Sequence, residues 1–337
     1  MTRVAINGFG RIGRLVYRAL LERNFLDGQV EVVVVNDLVP ADNLAYLLKY
    51  DTNHGVLKEN IYAPDQNTIM VGDRTLKTIS QKAHPSELNW HDWNIDIVIE
   101  STGLFTKNSD ASGHIQAGAK KVIISAPSDD ETPTHLIGIN TDTAREPQII
   151  SNASCTTNCV APVVRVLQQS GIGIEEGFMT TLHAYTATQG LQDEPSAKDW
   201  RRGRAAAENI VPSSTGATKA IGKVYPELND KLTGMSFRVP VKTGSCIDFT
   251  FRSRRDTSIE EINAKMKEAS ESYLQGVLRY TEDPIVSTDI IHDSHSAIFD
   301  ATSTLGIGSR FFKLIAWYDN EWGYSNRIVE MIGVLGQ

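Results

Sequence analysis

The frame Gly8-Phe9-Gly10-Arg11-Ile12-Gly13 constrains the fold of this chain more than any other stretch. It follows the apolar run 4–6 and opens into a helical pattern through Leu15, Ala19 and Leu20. A second apolar run, 30–35, ends on Asn36-Asp37. Strand, glycine-rich turn, helix and a second strand closed by an acid make a dinucleotide-binding fingerprint. Gly8 allows the tight turn, Gly10 lets a pyrophosphate approach the backbone, and Gly13 lets the helix pack closely on the sheet. Asp37 accepts from the ribose hydroxyls and repels a 2′-phosphate, so the predicted cofactor is NAD rather than NADP.

The first half continues in the same alternation. A short helix is predicted over 43–48, a hairpin over 68–79, a buried strand over 95–100 ended by Ser101-Thr102-Gly103, a helix over 109–117 and a strand over 121–125. Alternating strands and helices give a mainly parallel sheet, and ligand contacts gather at the carboxyl ends of its strands. The second half reads differently, with strands at 178–182, 236–239, 245–252, 296–299 and 311–318 and helices near 259–273 and 321–334. The predicted class is therefore α/β, a Rossmann-type nucleotide-binding domain with a second α+β substrate domain on a mainly antiparallel sheet.

A length of 337 residues exceeds what one core usually fills, so two domains are expected. A formal charge of -8 gives no support for general binding to nucleic acid or anionic membrane. The three cysteines, Cys155, Cys159 and Cys246, suit a reducing compartment rather than a disulfide framework, and no zinc spacing occurs, so no metal is expected. His54, His84, His91, His114 and His135 also lack ligand spacing. Without a signal-peptide pattern or an 18-residue apolar run, the expected location is the cytoplasm.

The polar run Ser151-Asn152-Ala153-Ser154-Cys155-Thr156-Thr157-Asn158-Cys159 leads into apolar positions at Val160, Val163, Val164 and Leu167. It is expected to end as a helix N-terminus, where free N–H groups favour negative charge and bias a thiol toward its reactive thiolate. His183, at the exit of the strand 178–182, is suited to move a proton near neutral pH. A long loop, 190–212, carries Lys198, Arg201, Arg202 and Arg204, fit for an anionic substrate or for a subunit contact. Ser213-Ser214-Thr215-Gly216-Ala217 opens a further helix and reads as a phosphate nest or a plain cap. Cys246 reads as core.

Taken with Trp317-Tyr318-Asp319-Asn320-Glu321-Trp322-Gly323-Tyr324, these segments make the chain resemble the phosphorylating glyceraldehyde-3-phosphate dehydrogenases over nearly all its length. The resemblance implies a nucleotide domain of residues 1–154 plus 319–337, with the substrate domain 155–318 inserted. It implies Cys155 as nucleophile and His183 as its partner, a thiohemiacetal, a thioester and phosphorolysis. Thr186, Thr188, Arg202 and Arg238 would then hold the substrate phosphate, and Ser154, Thr156, Thr215 and Gly216 the inorganic phosphate. Gly8, Gly10, Arg11, Ile12, Gly13, Asp37, Thr102, Ser125 and Asn320 would hold NAD, with Asn320 on the nicotinamide carboxamide. It also implies a homotetramer working in glycolysis and gluconeogenesis, with no obligatory nucleic acid or membrane partner.

The chain departs from the family pattern at Lys242 and Cys246, and at Glu194, where NAD-preferring bacterial members often carry leucine. Glu194 keeps a carboxylate that repels a 2′-phosphate. Two other readings compete. Erythrose-4-phosphate dehydrogenase shares the cysteine and histidine but lacks the intact Ser214-Thr215-Gly216 nest found here, and a non-catalytic binding protein on the same fold would not need either set.

Overall fold

The computed structural model describes residues 1–197 and 199–336; Lys198, one cation of the 190–212 loop, lies outside the described residues. Contacts divide the chain into two units, one of residues 1–136, 140–153 and 325–337, the other of 137–139 and 154–324.

The first unit runs β1 (Thr2–Asn7), α1 (Arg11–Glu22), β2 (Val30–Asn36), α2 (Ala41–Lys49), β3 (Tyr50–Asp51), β4 (Gly55–Val56), β5 (Ile61–Asp65), β6 (Thr68–Val71) and β7 (Arg74–Ile79). It continues with β8 (Ile97–Glu100), α3 (Asn108–Gln116), β9 (Lys121–Ile124) and β10 (Ile149–Ser151). Eight strands form one sheet in the order β10-β9-β8-β1-β2-β7-β6-β5. The run from β10 to β7 is parallel, and β6 and β5 extend it antiparallel. Val4 to Ile6, Val32 to Val35, Ile97 to Ile99 and Val122 to Ile124 are buried on consecutive positions, as strands covered on both faces require. Their β-branched side chains suit a pleated, enclosed surface. The expected hairpin over 68–79 is β6 and β7.

The second unit begins with α4 (Cys155–Gln169), β11 (Ile174–Ala184), β12 (Val211–Ser214), α5 (Ala217–Val224), β13 (Leu232–Val239) and β14 (Ser245–Ser253). Then come α6 (Ile259–Ser270), β15 (Leu278–Thr281), β16 (Ala297–Ile307), β17 (Phe311–Tyr318) and α7 (Trp322–Leu335), whose later turns belong to the first unit. Seven strands pair in the order β12-β13-β11-β14-β17-β16-β15, antiparallel except at β11–β13 and β15–β16. Here burial alternates. On β14, Ile247, Phe249 and Phe251 are buried while Asp248 and Thr250 between them are partly open. One face of this sheet is packed and the other is open to solvent.

Two element boundaries differ from the sequence expectation. The segment 211–214 is a strand paired with β13, so the helix expected from Ser213 starts only at Ala217. His183 lies inside β11 rather than in the loop after it, because pairing with β13 carries the strand to Ala184.

Candidate catalytic and cofactor sites

In the first unit, the turn between β1 and α1 is shaped by what its glycines must avoid. A Cβ on Gly8, whose φ is +91°, would stand 2.7 Å from the Thr102 nitrogen, and one on Gly13 would stand 2.3 Å from the Gly8 carbonyl oxygen. Gly10, the N-cap of α1, faces open space and supplies no side-chain cap. With no side-chain cap and no Cβ above Gly10, the positive N-terminus of α1 fits a diphosphate. Asp37 is held in place by the Phe9 N–H at 2.8 Å and the Leu38 N–H at 2.7 Å. Arg11 turns its guanidinium to Asp51 at 2.5 Å, so its backbone rather than its charge serves the turn.

Behind this turn lies a network that the sequence did not announce. Glu100, at the end of β8, is buried and accepts from Asn7 Nδ2 at 2.6 Å and from the Thr102 N–H at 2.9 Å. Trp90 Nε1 donates to His114 Nδ1 at 2.8 Å, which leaves the proton of His114 on Nε2, 2.9 Å from Glu100. Glu100 thus fixes Thr102, while its own carbonyl accepts the Ser125 N–H at 2.9 Å. Thr102 and Ser125, both expected to line the cofactor, are tied to one residue. The donor-rich turn, the anchored Asp37 and these backed-up loops suit a dinucleotide.

In the second unit, strand register builds the site on the packed face of the sheet. His183 pairs with Arg238 across β11 and β13, and Tyr318 pairs with Ser245 across β17 and β14. Side chains at paired positions project to the same face. Cys155 starts α4, where Ser154 is the N-cap and accepts the Thr157 N–H at 3.1 Å. Cys155 Sγ lies 3.3 Å from His183 Nε2, which makes a thiol–imidazole pair.

Opposing electrostatic effects meet at this pair. Burial pushes the Cys155 thiol up, against the pull of the Arg238 cation and of hydrogen bonds from Thr156. Burial, and then the same guanidinium, lowers His183 to about 3. Desolvation thus works on the thiol against the helix N-terminus and the Arg238 cation, which favour the thiolate. His183 Nδ1 lies 2.7 Å from the Ala184 carbonyl, and the tautomer that donates there turns the Nε2 lone pair to the thiol. Arg238 Nη1 stands 2.5 Å from the same Nδ1 and donates to the same carbonyl at 3.1 Å.

Of the expected anion ligands, Arg238 reaches the His183 ring and Arg202 lies near Arg238. Thr186 Oγ1 and Thr188 Oγ1 are 2.9 Å apart, and Arg202 Nη2 donates to Thr188 Oγ1 at 2.8 Å. Burial, and with it the nearby Arg202 cation, disfavours the charge of Arg238, and the Nε atoms of both arginines are buried without a partner. Like charges held together with unused donors suit a doubly charged anion. Thr215 Oγ1 accepts the Ala217 N–H at 3.2 Å, and Gly216 caps α5 with no side chain above it. Ser154 spends its hydroxyl on the α4 cap. Thr156 bonds Tyr318. Asn320 Oδ1 accepts from Ser245 Oγ at 2.8 Å and from the Gly244 N–H at 3.2 Å, which turns its Nδ2 donor outward. Cys159, deep in α4, and Cys246, on the other face of the sheet, stay protonated through burial. No group of metal-ligating side chains occurs among the described residues, and no described helix is long and apolar enough to cross a membrane.

Comparison with known proteins agrees over both units. Residues 2–108 match the model for the NAD binding domain of glyceraldehyde 3-phosphate dehydrogenase, and residues 154–320 match that for its C-terminal domain. The chain is 53% identical over 334 residues to glyceraldehyde-3-phosphate dehydrogenase 1 of Trichormus variabilis, covering 98% of this chain and 95% of that protein. It is 50% identical over 335 residues to the glyceraldehyde-3-phosphate dehydrogenase of Bacteroides fragilis, covering 99% of each. It is 51% identical over 339 residues to that of Mycobacterium leprae, covering 99% of this chain and 98% of the relative. With an NAD-binding unit and a thiol–imidazole unit matching along their length, the chain belongs to the glyceraldehyde-3-phosphate dehydrogenase family.

Proposed function

We infer that this chain is a phosphorylating, NAD-dependent dehydrogenase that converts D-glyceraldehyde 3-phosphate and inorganic phosphate to 1,3-bisphosphoglycerate. The observation that carries the reading is the 3.3 Å approach of Cys155 Sγ to His183 Nε2 at the start of α4. Cys155 attacks the aldehyde carbon while His183 Nε2 takes the thiol proton, giving a thiohemiacetal. The α4 N-terminus and the newly charged imidazole stabilise the oxygen anion as it forms. His183 returns that proton to the oxygen and then takes it again from the thiohemiacetal hydroxyl as the hydride leaves, for which bound NAD would supply the acceptor. The enzyme then holds a thioester, which inorganic phosphate attacks to release the acyl phosphate.

Thr186, Thr188, Arg202 and Arg238 hold the substrate's phosphate; the unused Nε donors of the two arginines support this role. Ser154, Thr156, Thr215 and Gly216 hold the inorganic phosphate, supported by the open N-terminus of α5. Gly8, Gly10, Arg11, Ile12, Gly13, Asp37, Thr102 and Ser125 hold NAD, and Asn320 donates to the nicotinamide carboxamide. Four copies assemble, a reading that the apolar open face of the second sheet supports, and the three free cysteines fit a cytoplasmic location.

The test is NADH formation from glyceraldehyde 3-phosphate with and without inorganic phosphate, using the chain and its Cys155→Ser variant. Phosphate-dependent formation that vanishes in the variant is the expected outcome. Equal rates without phosphate would mean that water takes the thioester, as in an erythrose-4-phosphate dehydrogenase, and would overturn the phosphate assignments at Thr215 and Gly216.

A further inference from the structure

In the second sheet β14 lies between β11 and β17, and Ser245 opens it beside the ends of both neighbours. The Ser245 hydroxyl accepts the Ala184 N–H at 3.1 Å and donates to Asn320 Oδ1 at 2.8 Å. Ala184 ends β11 and follows His183, whose Nδ1 lies 2.7 Å from the Ala184 carbonyl. Asn320 stands two residues beyond the end of β17. Ser245, Ala184 and Asn320 are all buried, and the serine has no part in the chemistry above. One hydroxyl therefore joins the strand end that carries the histidine to the amide proposed to meet the nicotinamide.

The direction of these bonds is fixed by the groups that can only donate. The Ala184 N–H takes a lone pair of Ser245 Oγ, which leaves the single proton of the hydroxyl for Asn320. The Gly244 N–H meets the same amide atom at 3.2 Å, so that atom is the oxygen and Nδ2 is turned the other way. The backbone of this turn is held separately. Asp319 is buried and accepts the N–H groups of Glu321, Trp322 and His292 at 2.9, 3.0 and 2.7 Å. Thr243 Oγ1 donates to Asp319 Oδ1 at 3.1 Å and stands farther, at 3.5 Å, from Asn320 Oδ1. With the backbone fixed through Asp319, the end of the Asn320 amide is oriented chiefly by Ser245 and Gly244. Of these two donors, only that of Ser245 belongs to a side chain.

We propose that Ser245 is a positioning residue that locks the Asn320 amide with its Nδ2 donor toward the nicotinamide carboxamide. The proposal rests on Asn320 being the residue that orients the nicotinamide. Without the serine hydroxyl, Oδ1 keeps the Gly244 N–H at 3.2 Å as its nearest donor, and the end of the amide rotates more freely. Nδ2 then meets the carboxamide only part of the time. Of the residues proposed to hold NAD, the Ser245 hydroxyl bonds Asn320 alone, so the loss falls on the nicotinamide half of the cofactor.

The experiment is calorimetric binding of NAD and of ADP-ribose, which lacks the nicotinamide, to the full chain and its variants without substrate. In Ser245→Ala, the dissociation constant for NAD should rise about three- to tenfold relative to that for ADP-ribose. Asn320→Ala should raise the same ratio at least as far. The double variant should match Asn320→Ala alone, since Ser245 acts through that amide. If Ser245→Ala fails to fold, Ser245→Cys keeps a side chain of similar shape with a weaker donor and should move the ratio the same way. An unmoved ratio in the folded Ser245 variants, equal weakening of both ligands included, or full additivity in the double variant overturns the role of Ser245. An unmoved ratio in Asn320→Ala instead overturns the nicotinamide assignment of Asn320, and this inference with it.

Discussion

His183 carries a clear acid signature because it is buried neutral. Its folded value, about 3, lies below the value near 6.5 that an unfolded histidine has. Between those limits the unfolded chain binds the extra proton, so the histidine's contribution to stability is full above about pH 6.5 and is lost as the pH falls toward 3. The slope is about 1.4 kcal/mol per pH unit in that window. We expect His183→Gln to reduce proton uptake on unfolding by close to one proton between about pH 4 and 6, read from stability measured against pH. Unchanged uptake would mean that the native imidazole is already charged. At this scale the sequence named Cys155 and His183, and the family resemblance named Arg238 as a phosphate ligand, but neither placed that guanidinium against the imidazole. Arg238 reaches His183 through the register of a parallel strand pair, and no local motif encodes register between distant segments.

The glycines of the turn before α1 separate folding from cofactor binding. Gly13 has the Gly8 carbonyl where a Cβ would go, and that atom is backbone, which cannot swing aside. Gly10 has open space. Gly13→Ala should therefore lower the melting temperature of the cofactor-free protein, whereas Gly10→Ala should leave it nearly unchanged and weaken NAD binding measured by calorimetry. An equal loss of melting temperature in both would remove the distinction. A third element-scale prediction concerns α4. Ser154→Ala deletes the cap that accepts the Thr157 N–H and should cost about 1 kcal/mol, read as a shift in the urea midpoint. Strand–turn–helix order in the first unit was legible because glycine spacing and apolar runs are local signals. The end of β11 and all of β12 were not, since His183-Ala184 and Val211-Pro212-Ser213-Ser214 give no period and are held in strands by pairing with β13.

The two sheets differ in how completely the chain covers them. The first is enclosed on both faces, while the second leaves one face bare along β11, β13, β16 and β17. Register places Phe178, Leu182, Met235 and Phe311 on that face, with Phe178 68% exposed and Leu182 41% exposed. Ile307, paired with Phe311, is 75% exposed. A run of apolar residues at alternate positions across neighbouring strands is a patch rather than scattered exposure, and such patches mark association surfaces. A second copy presenting the same face satisfies it by symmetry, in keeping with the proposed homotetramer. Phe178→Asp together with Leu182→Asp tests this, because both side chains point away from the packed face and the substitutions leave the core untouched. We expect the parent chain to elute at about four times its 37.2 kDa chain mass in size exclusion with light scattering, and the double variant at a lower multiple with its circular dichroism preserved. A parent chain at the single-chain mass, or a variant still at the parent mass, would move the interface elsewhere. The composition alone could not show this face: apolar residues at alternate strand positions look the same whether they point into a core or out of it, and only the register of the neighbouring strands, with α4 on the opposite side, decides which half of β11 the chain itself covers.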